Sequence, residues 1–302
     1  MGSESRKISG SSARGRFPPV IVIGMHRSGT SMLTRALQGF GLFMGRGTSR
    51  NEECAWTNAL NEWIFRQASA TWERPEGVDS LLADAQVREL VRDYLTGITD
   101  GPAAMRYLGL RGWLRWRGMH AISEPWGWKD PRNTFTLPFW LEVFPDARVL
   151  HITRHGVDVA ESLRARREKA LASAEWRYRR YRWFYANHPA APKRSGFGHS
   201  PTVRELSGGL ALWRLYMARA RHAVRDRGDF AMELRYEDIL ADPEPHLRSL
   251  VRFCRLPASE DALIQVAESF QPTRAYAYRR DAELVDFAEA AQDLLIAEGY
   301  GP

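Results

Sequence analysis

Four consecutive β-branched residues, Val20-Ile21-Val22-Ile23, run directly into a glycine-bracketed turn, Gly24-Met25-His26-Arg27-Ser28-Gly29-Thr30-Ser31. A run that is apolar at every position, with no polar alternation, suits a strand buried on both faces, as in a parallel sheet. The turn opens into a helical repeat with Met32, Leu33, Ala36, Leu37 and Phe40 on one face and Gly41 as a stop. Strand, glycine loop and helix in immediate succession are the opening unit of an α/β fold, and this unit constrains the chain more than any other feature.

The alternation continues along the chain. Strands are expected at Trp126–Lys129, Arg148–Thr153 and Phe230–Leu234, and helices near 52–70, 79–99, 134–144, 157–168, 245–255 and 282–298. This pattern predicts α/β architecture, a three-layer P-loop-like fold with a central parallel sheet of about four or five strands flanked by helices. Residues 1–16, rich in Ser, Gly and Arg, are expected to form a disordered leader. Residues 17–302 are expected to form a single domain, carrying at about 164–208 an insertion rich in arginine and aromatics.

The formal net charge of +7 calls for an anionic partner: nucleic acid, a membrane surface or an anionic small molecule. The two cysteines, Cys54 and Cys254, have no metal-ligand spacing and read as buried thiols in a reducing compartment, so no metal is expected. No apolar run approaches the ~20 residues of a membrane span, and no secretory signal is evident, which predicts a soluble, cytoplasmic protein. Most of the 11 tryptophans are expected in the core. His26, His151 and His155 are expected in satisfied hydrogen-bonding roles.

Gly24 and Gly29 have the spacing of a phosphate-binding P-loop, and the N–H groups of Gly29, Thr30 and Ser31 would emerge at a helix N-terminus, where an anion is favoured. Thr30 stands where an ATP-binding loop has the lysine that reaches the β- and γ-phosphates. A different cation, Arg27, lies inside the turn instead.

His26-Arg27-Ser28-Gly29-Thr30-Ser31 resembles the 5′-phosphosulfate loop of sulfotransferases that use 3′-phosphoadenosine-5′-phosphosulfate (PAPS). The arginine form resembles the bacterial and tyrosylprotein branches more than the cytosolic small-molecule branch. The resemblance extends to an arginine at a strand end with a serine eight positions later, here Arg154 and Ser162, which in that family hold the 3′-phosphate. It includes Lys129-Asp130-Pro131-Arg132, where the family assigns the lysine to the transferring group. It also covers Tyr236-Glu237-Asp238-Ile239, whose tyrosine lies near the adenine in relatives. The cytosolic branch places a histidine base just after the lysine; here Pro131 stands there. The resemblance to heparan-type and tyrosylprotein enzymes therefore points to Asn51-Glu52-Glu53, with Glu53 the first choice of base and Glu52 the second. Both could equally be favourable first-turn acids of a helix.

The resemblance thus implies a PAPS-dependent, metal-independent sulfotransferase acting on an acceptor hydroxyl of unassigned class: glycan, lipid, phenolic small molecule or tyrosine. Arg27, Ser28, Gly29, Thr30, Ser31, Arg154, Ser162 and Tyr236 would bind the co-substrate. Glu53 or Glu52, Lys129 and Arg27 would carry the chemistry. Arg274, Arg279 and Arg280 are further candidate phosphate contacts. The 164–185 segment reads first as a lid over the acceptor, then as a solvated face, and last as a nucleic-acid surface, so no nucleic-acid partner is expected. Two other classes compete: a P-loop-type small-molecule kinase, and a non-catalytic nucleic-acid-binding protein on a degenerate P-loop scaffold.

Overall fold

The computed structural model describes residues 16–301 apart from 48, 50, 188–196, 198 and 199. Most of the expected leader and part of the expected insertion lie outside the described residues. The apolar run forms strand β1, Val20–Ile23, buried at every position. Strands β2 (Gly127–Lys129), β3 (Arg148–Thr153) and β4 (Ala231–Arg235) complete one parallel sheet in the order β2-β1-β3-β4.

The register pairs Val22 with Lys129, Ile23 with His151, and Thr153 with Arg235. All four strands therefore end on the same edge of the sheet, the edge where open α/β sheets bind ligands. The Gly24–Ser31 turn, Lys129, Arg154 and Tyr236 all emerge there.

The sheet separates two apolar cores, and β1 supplies both. Ile21, Ile23 and Val149 pack on one face with Trp128, Phe139 and Trp140. Val20, Val22, Leu150, Ile152 and Leu234 pack on the other, beneath Leu33 and Leu37 of the helix Thr30–Gly39. This double duty explains the missing alternation in the sequence, and each large side chain so buried stabilises the fold by roughly 1.5–3 kcal/mol. Trp56, Trp126, Trp128, Trp140 and Trp213 are buried, whereas Trp176 and Trp183 are exposed. Both cysteines are buried free thiols.

One polar side chain ties the helices to the site edge. Asn61, in the helix Ala55–Gln67, donates to Asp130 Oδ2 (2.9 Å) and Asn133 Oδ1 (2.7 Å). Its carbonyl accepts from Thr136 Oγ1 and Trp140 Nε1, both at 2.8 Å. All four hydrogen-bonding positions of the buried amide are thus used.

The helices differ from expectation in several places. The helix expected at 157–168 runs over Gly156–Arg180, so the first part of the basic segment continues a core helix. A second long helix, Leu206–Arg227, fills a stretch with no expected helix. A Cβ on Gly209 of this helix would come 3.0 Å from Ala160 Cα. The glycine is there to let two helices approach closely. Helices Met105–Trp116 and Glu260–Glu268 are likewise additional. The expected 79–99 helix is two helices, Gly77–Ala83 and Ala85–Asp100, broken where the Asp84 carboxylate caps Val87 N at 3.0 Å. Among the described residues, no helix is long and apolar enough to cross a membrane.

Candidate functional site

The turn after β1 is built from conformations that few residues tolerate. Gly24 and Gly29 have φ of 132° and 96°, and Arg27, not a glycine, has φ of 72°. A Cβ on Gly24 would lie 2.6 Å from Ile152 O, and one on Gly29 would overlap the Tyr236 ring. Ser28 is turned inward: its hydroxyl donates to Met25 O at 2.6 Å and its N–H to the same oxygen at 3.2 Å. Ser28 therefore braces the turn and does not line the cavity. Gly29 begins the helix Thr30–Gly39 with no side-chain cap, leaving the first-turn amides of a helix N-terminus to an anion.

Gly29, Thr30 and Ser31 line a cavity of about 170 Å³ together with Arg27, Arg35, Lys129, Arg154, Arg166, Arg274 and Tyr236. Glu53 is the one carboxylate among its lining residues. This charge imbalance in a half-enclosed space is what an anion of several negative charges requires.

On one side stands Lys129, its side chain 1% exposed. Its ammonium donates to Glu53 Oε1 at 2.9 Å, to Ser31 Oγ at 3.4 Å and to the Asn51 carbonyl. Burial holds its pKa below the usual lysine value, with Glu53 the largest opposing influence. Ser31 donates in turn to Asn51 O at 2.8 Å, tying the turn to the loop that carries Glu53. Glu52 points elsewhere: it pairs with Arg35 at 3.8 Å, has φ of 59°, and is absent from the cavity lining. Of the two candidate bases, only Glu53 meets Lys129.

On the other side Arg27 Nε donates to Ser162 Oγ at 2.8 Å. Arg154 donates to Arg27 O (3.2 Å), Arg274 O (3.1 Å) and Asp158 Oδ2 (3.2 Å), and its guanidinium lies 4.8 Å from the Tyr236 ring centre. Asp158 also accepts the backbone N–H groups of Ala277 and Tyr278, which fixes the segment bearing Arg274. Burial, then Arg154 and Arg274, hold the Arg27 pKa below its ordinary value, a cost of crowding that an anion offsets. A neighbouring cavity of about 310 Å³ shares Met32, Arg35, Tyr236 and Arg274 and adds Val266 and Phe270, a more apolar setting.

The sequence reading gave no role to Arg35, to Arg166 within the basic 164–185 segment, or to Asn51 itself within the Asn51-Glu52-Glu53 stretch, although all three line the cavity. Arg274 belongs to the cavity, whereas Arg279 lies over the Tyr276 ring and Arg280 bonds Thr273 O. The histidines depart from expectation. His151 Nδ1 bonds Glu233 Oε2 at 2.9 Å, but buried nitrogens of all three, His26 Nε2, His151 Nε2 and His155 Nδ1, have no partner among the described residues. His26 lines the cavity between the two groups of cations, and its pKa is pushed well below the usual value by burial and then by Arg166, Arg132, Lys129 and Arg27. Among the described residues, no group of three or more His, Cys, Asp and Glu is placed to hold a metal.

Residues 18–261 match the family model described as "Sulfotransferase family". No curated protein sequence gives a significant match. Among solved structures, the chain is similar to the sulfotransferase domain of the olefin synthase from Synechococcus PCC 7002 (16% identity, 93% of this chain and 96% of that one, TM-score 0.48). It is also similar to the sulfotransferase domain from the curacin biosynthetic pathway (14%, 91% and 98%, TM-score 0.47). A third similarity is to sulfotransferase STF1 from Mycobacterium tuberculosis H37Rv (16%, 84% and 71%, TM-score 0.41).

Proposed function

Because the chain belongs to the sulfotransferase family, we propose that it transfers a sulfuryl group from PAPS to an acceptor hydroxyl, with Glu53 as the base. The observation that carries this reading is the contact of Lys129 with Glu53 and Ser31 at the mouth of the anion turn. A cation, a carboxylate and an anion-binding helix terminus meet where attack and departure must occur.

Gly29, Thr30 and Ser31 hold the 5′-phosphosulfate with Arg27, and Arg154 and Ser162 hold the 3′-phosphate. Tyr236 and the apolar neighbouring cavity take the nucleoside. The acceptor oxygen forms its bond to sulfur as Glu53 takes its proton. The bond from sulfur to the 5′-phosphate oxygen breaks, and its electron pair stays on that oxygen. Negative charge therefore grows on the departing adenosine 3′,5′-bisphosphate, where Lys129 and Arg27 stabilise it. In this reading Lys129 and Arg27 supply the positive charge at the departing oxygen.

A thermal-shift titration with adenosine 3′,5′-bisphosphate, set against ATP with magnesium, tests the reading. Bisphosphate stabilises the protein by mass action, Arg154→Ala abolishes the effect, and ATP gives none. Stabilisation by ATP–magnesium alone would overturn it in favour of a kinase, and salt-sensitive RNA binding without bisphosphate affinity in favour of a nucleic-acid-binding protein.

A further inference from the structure

Three side chains four residues apart, Asp158, Ser162 and Arg166, share one face of the helix Gly156–Arg180. The first two already serve the donor cavity: Asp158 holds Arg154 at 3.2 Å, and Ser162 accepts from Arg27 at 2.8 Å. Arg166 lies one turn further along the helix axis, about 6 Å from Ser162 at ~1.5 Å per residue. It lines the same cavity. Partial burial and then Arg27 lower its pKa, opposed by Glu53 and Glu73, and these neighbours set it at the Glu53 end. There the donor cavity adjoins an acidic one of about 380 Å³, lined by Glu53, Glu62, Glu73 and Asp130 with Arg132, His26 and Trp72.

The Arg166 guanidinium is braced without being neutralised. It lies over the Trp72 ring, 5.1 Å from its centre. Trp72 is itself fixed, because its carbonyl accepts from the Tyr216 hydroxyl at 2.9 Å and its ring meets His26 edge-on at 4.9 Å. A guanidinium on an aromatic face keeps the N–H groups at its rim for other partners. Other cations of the cavity are taken up: Lys129 pairs with Glu53, Arg154 with Asp158, and Arg35 with Glu52. Arg166 forms no ion pair or hydrogen bond through its guanidinium among the described residues, and it is exposed. Arg274 likewise forms no ion pair there, but it shares the neighbouring cavity with Tyr236 and so stands at the nucleoside end.

We infer that Arg166 binds the sulfuryl group itself, the rim of its guanidinium holding the sulfonate oxygens of PAPS. This rests on the sulfuryl-transfer reading above and adds to it the residue that recognises the transferred group. In that reading Gly29, Thr30, Ser31 and Arg27 meet the 5′-phosphate. The sulfonate lies one bridging oxygen further out, toward Glu53, where the acceptor attacks. Arg166 is the unpaired cation beyond Arg27 in that direction, and two N–H groups of its fork match two oxygens of a sulfonate. Trp72 holds the fork in place before the donor arrives, so little side-chain freedom is lost on binding.

The test is calorimetric binding of PAPS and of adenosine 3′,5′-bisphosphate to the whole chain, without acceptor, at a pH of about 8. Both ligands then carry about two negative charges at the 5′ end, and only PAPS carries one of them on a sulfonate. Arg166→Met should weaken PAPS about tenfold or more, as expected for lost hydrogen bonds to a charged group, and the bisphosphate less than about threefold. Arg166→Lys keeps the charge and loses the fork; it should show the same selective loss at about threefold, and serves where Arg166→Met does not fold. Retained bisphosphate binding shows that a variant is folded. A loss equal for the two ligands, or PAPS binding untouched by either substitution, overturns the inference. Failure of the bisphosphate to bind the parent protein would instead strike the underlying reading, so the two failures are separable.

Discussion

The Lys129 ammonium lies 2.9 Å from Glu53 Oε1, joining residues 76 positions apart in sequence at the point where the cationic cavity meets the acidic one. The pair keeps each charge from being buried alone, which would cost several kcal/mol. A phosphosulfate oxygen arriving beside Lys129 competes with the carboxylate for the ammonium, and a displaced carboxylate is free to accept a proton.

The two members of the pair should consequently separate in kinetics. Glu53→Gln should lower kcat by about 10²–10⁴-fold, the usual contribution of a positioned base. Bisphosphate binding should hold or tighten, because a negative charge has left the cavity. Lys129→Ala should lower kcat by about 10²–10³-fold and weaken the bisphosphate as well. Single-turnover rates alongside bisphosphate titrations measure both quantities. A Glu53→Gln enzyme with wild-type kcat would remove that residue from the chemistry.

The Lys129 proton sets a further expectation. Burial holds its pKa below the usual lysine value, and the charged form is the one that stabilises the leaving group. Activity should therefore fall as pH rises through a value under the ordinary 10.5. Lys129→Arg, whose guanidinium keeps its proton, should move that alkaline limb upward even if the maximal rate drops. A limb in the same place in both proteins would assign it to another group.

What the sequence displayed and what it hid follow from distance along the chain. The strand, turn and helix at 20–40 are legible because one continuous segment encodes the apolar run, the glycines and the repeat. Arg154 is legible because it directly follows a strand. Asn61 is not: its importance arises from four partners at 130–140, and nothing in the helix Ala55–Gln67 announces a saturated amide. Arg166 falls in the basic segment that reads first as a lid over the acceptor, yet it lines the cation-rich cavity beside the Gly24–Ser31 turn. The helix Leu206–Arg227 was hidden because paired glycines usually end helices, whereas Gly209 here makes room for Ala160. Glu53 could not be separated from Glu52 by residue type, and the separation comes from the turn at Glu52, whose φ of 59° sends the neighbouring side chains apart.

Arg27 and Ser162 make a second long-range junction, 2.8 Å across 135 positions. In the proposed mode it lies between the two ends of the donor, so the serine hydroxyl serves both the arginine and the 3′-phosphate. Ser162→Ala should weaken adenosine 3′,5′-bisphosphate by about 5–30-fold, as expected for a lost hydrogen bond to a charged group at roughly 1–2 kcal/mol. Adenosine 5′-phosphate, which lacks the 3′-phosphate, should lose less. Calorimetry with both ligands reads the difference, and an equal loss for the two would place Ser162 outside the 3′-phosphate site.

Acid stability is the last expectation, and it depends on His155. The residue is 2% exposed and its ring stacks 4.3 Å from that of Tyr278. Burial, followed by Arg235, Arg279 and Arg154, lowers its pKa to about 3. In the unfolded chain the imidazole takes up a proton near 6.5. Between those values the unfolded state binds a proton that the native state refuses, so stability must fall as pH falls. The loss begins near 6.5, reaches about 2 kcal/mol by pH 5, and continues until the native pKa is passed. His26 and His151 are shifted in the same direction and steepen the slope. His155→Phe removes one titrating site and keeps an aromatic ring against Tyr278. Urea unfolding at pH 7 and pH 5 should therefore show a stability difference about 2 kcal/mol smaller in His155→Phe than in the parent protein. If the difference is unchanged, His155 takes up its proton in the folded protein as readily as in the unfolded one, and the acid sensitivity must come from the other two histidines and the carboxylates.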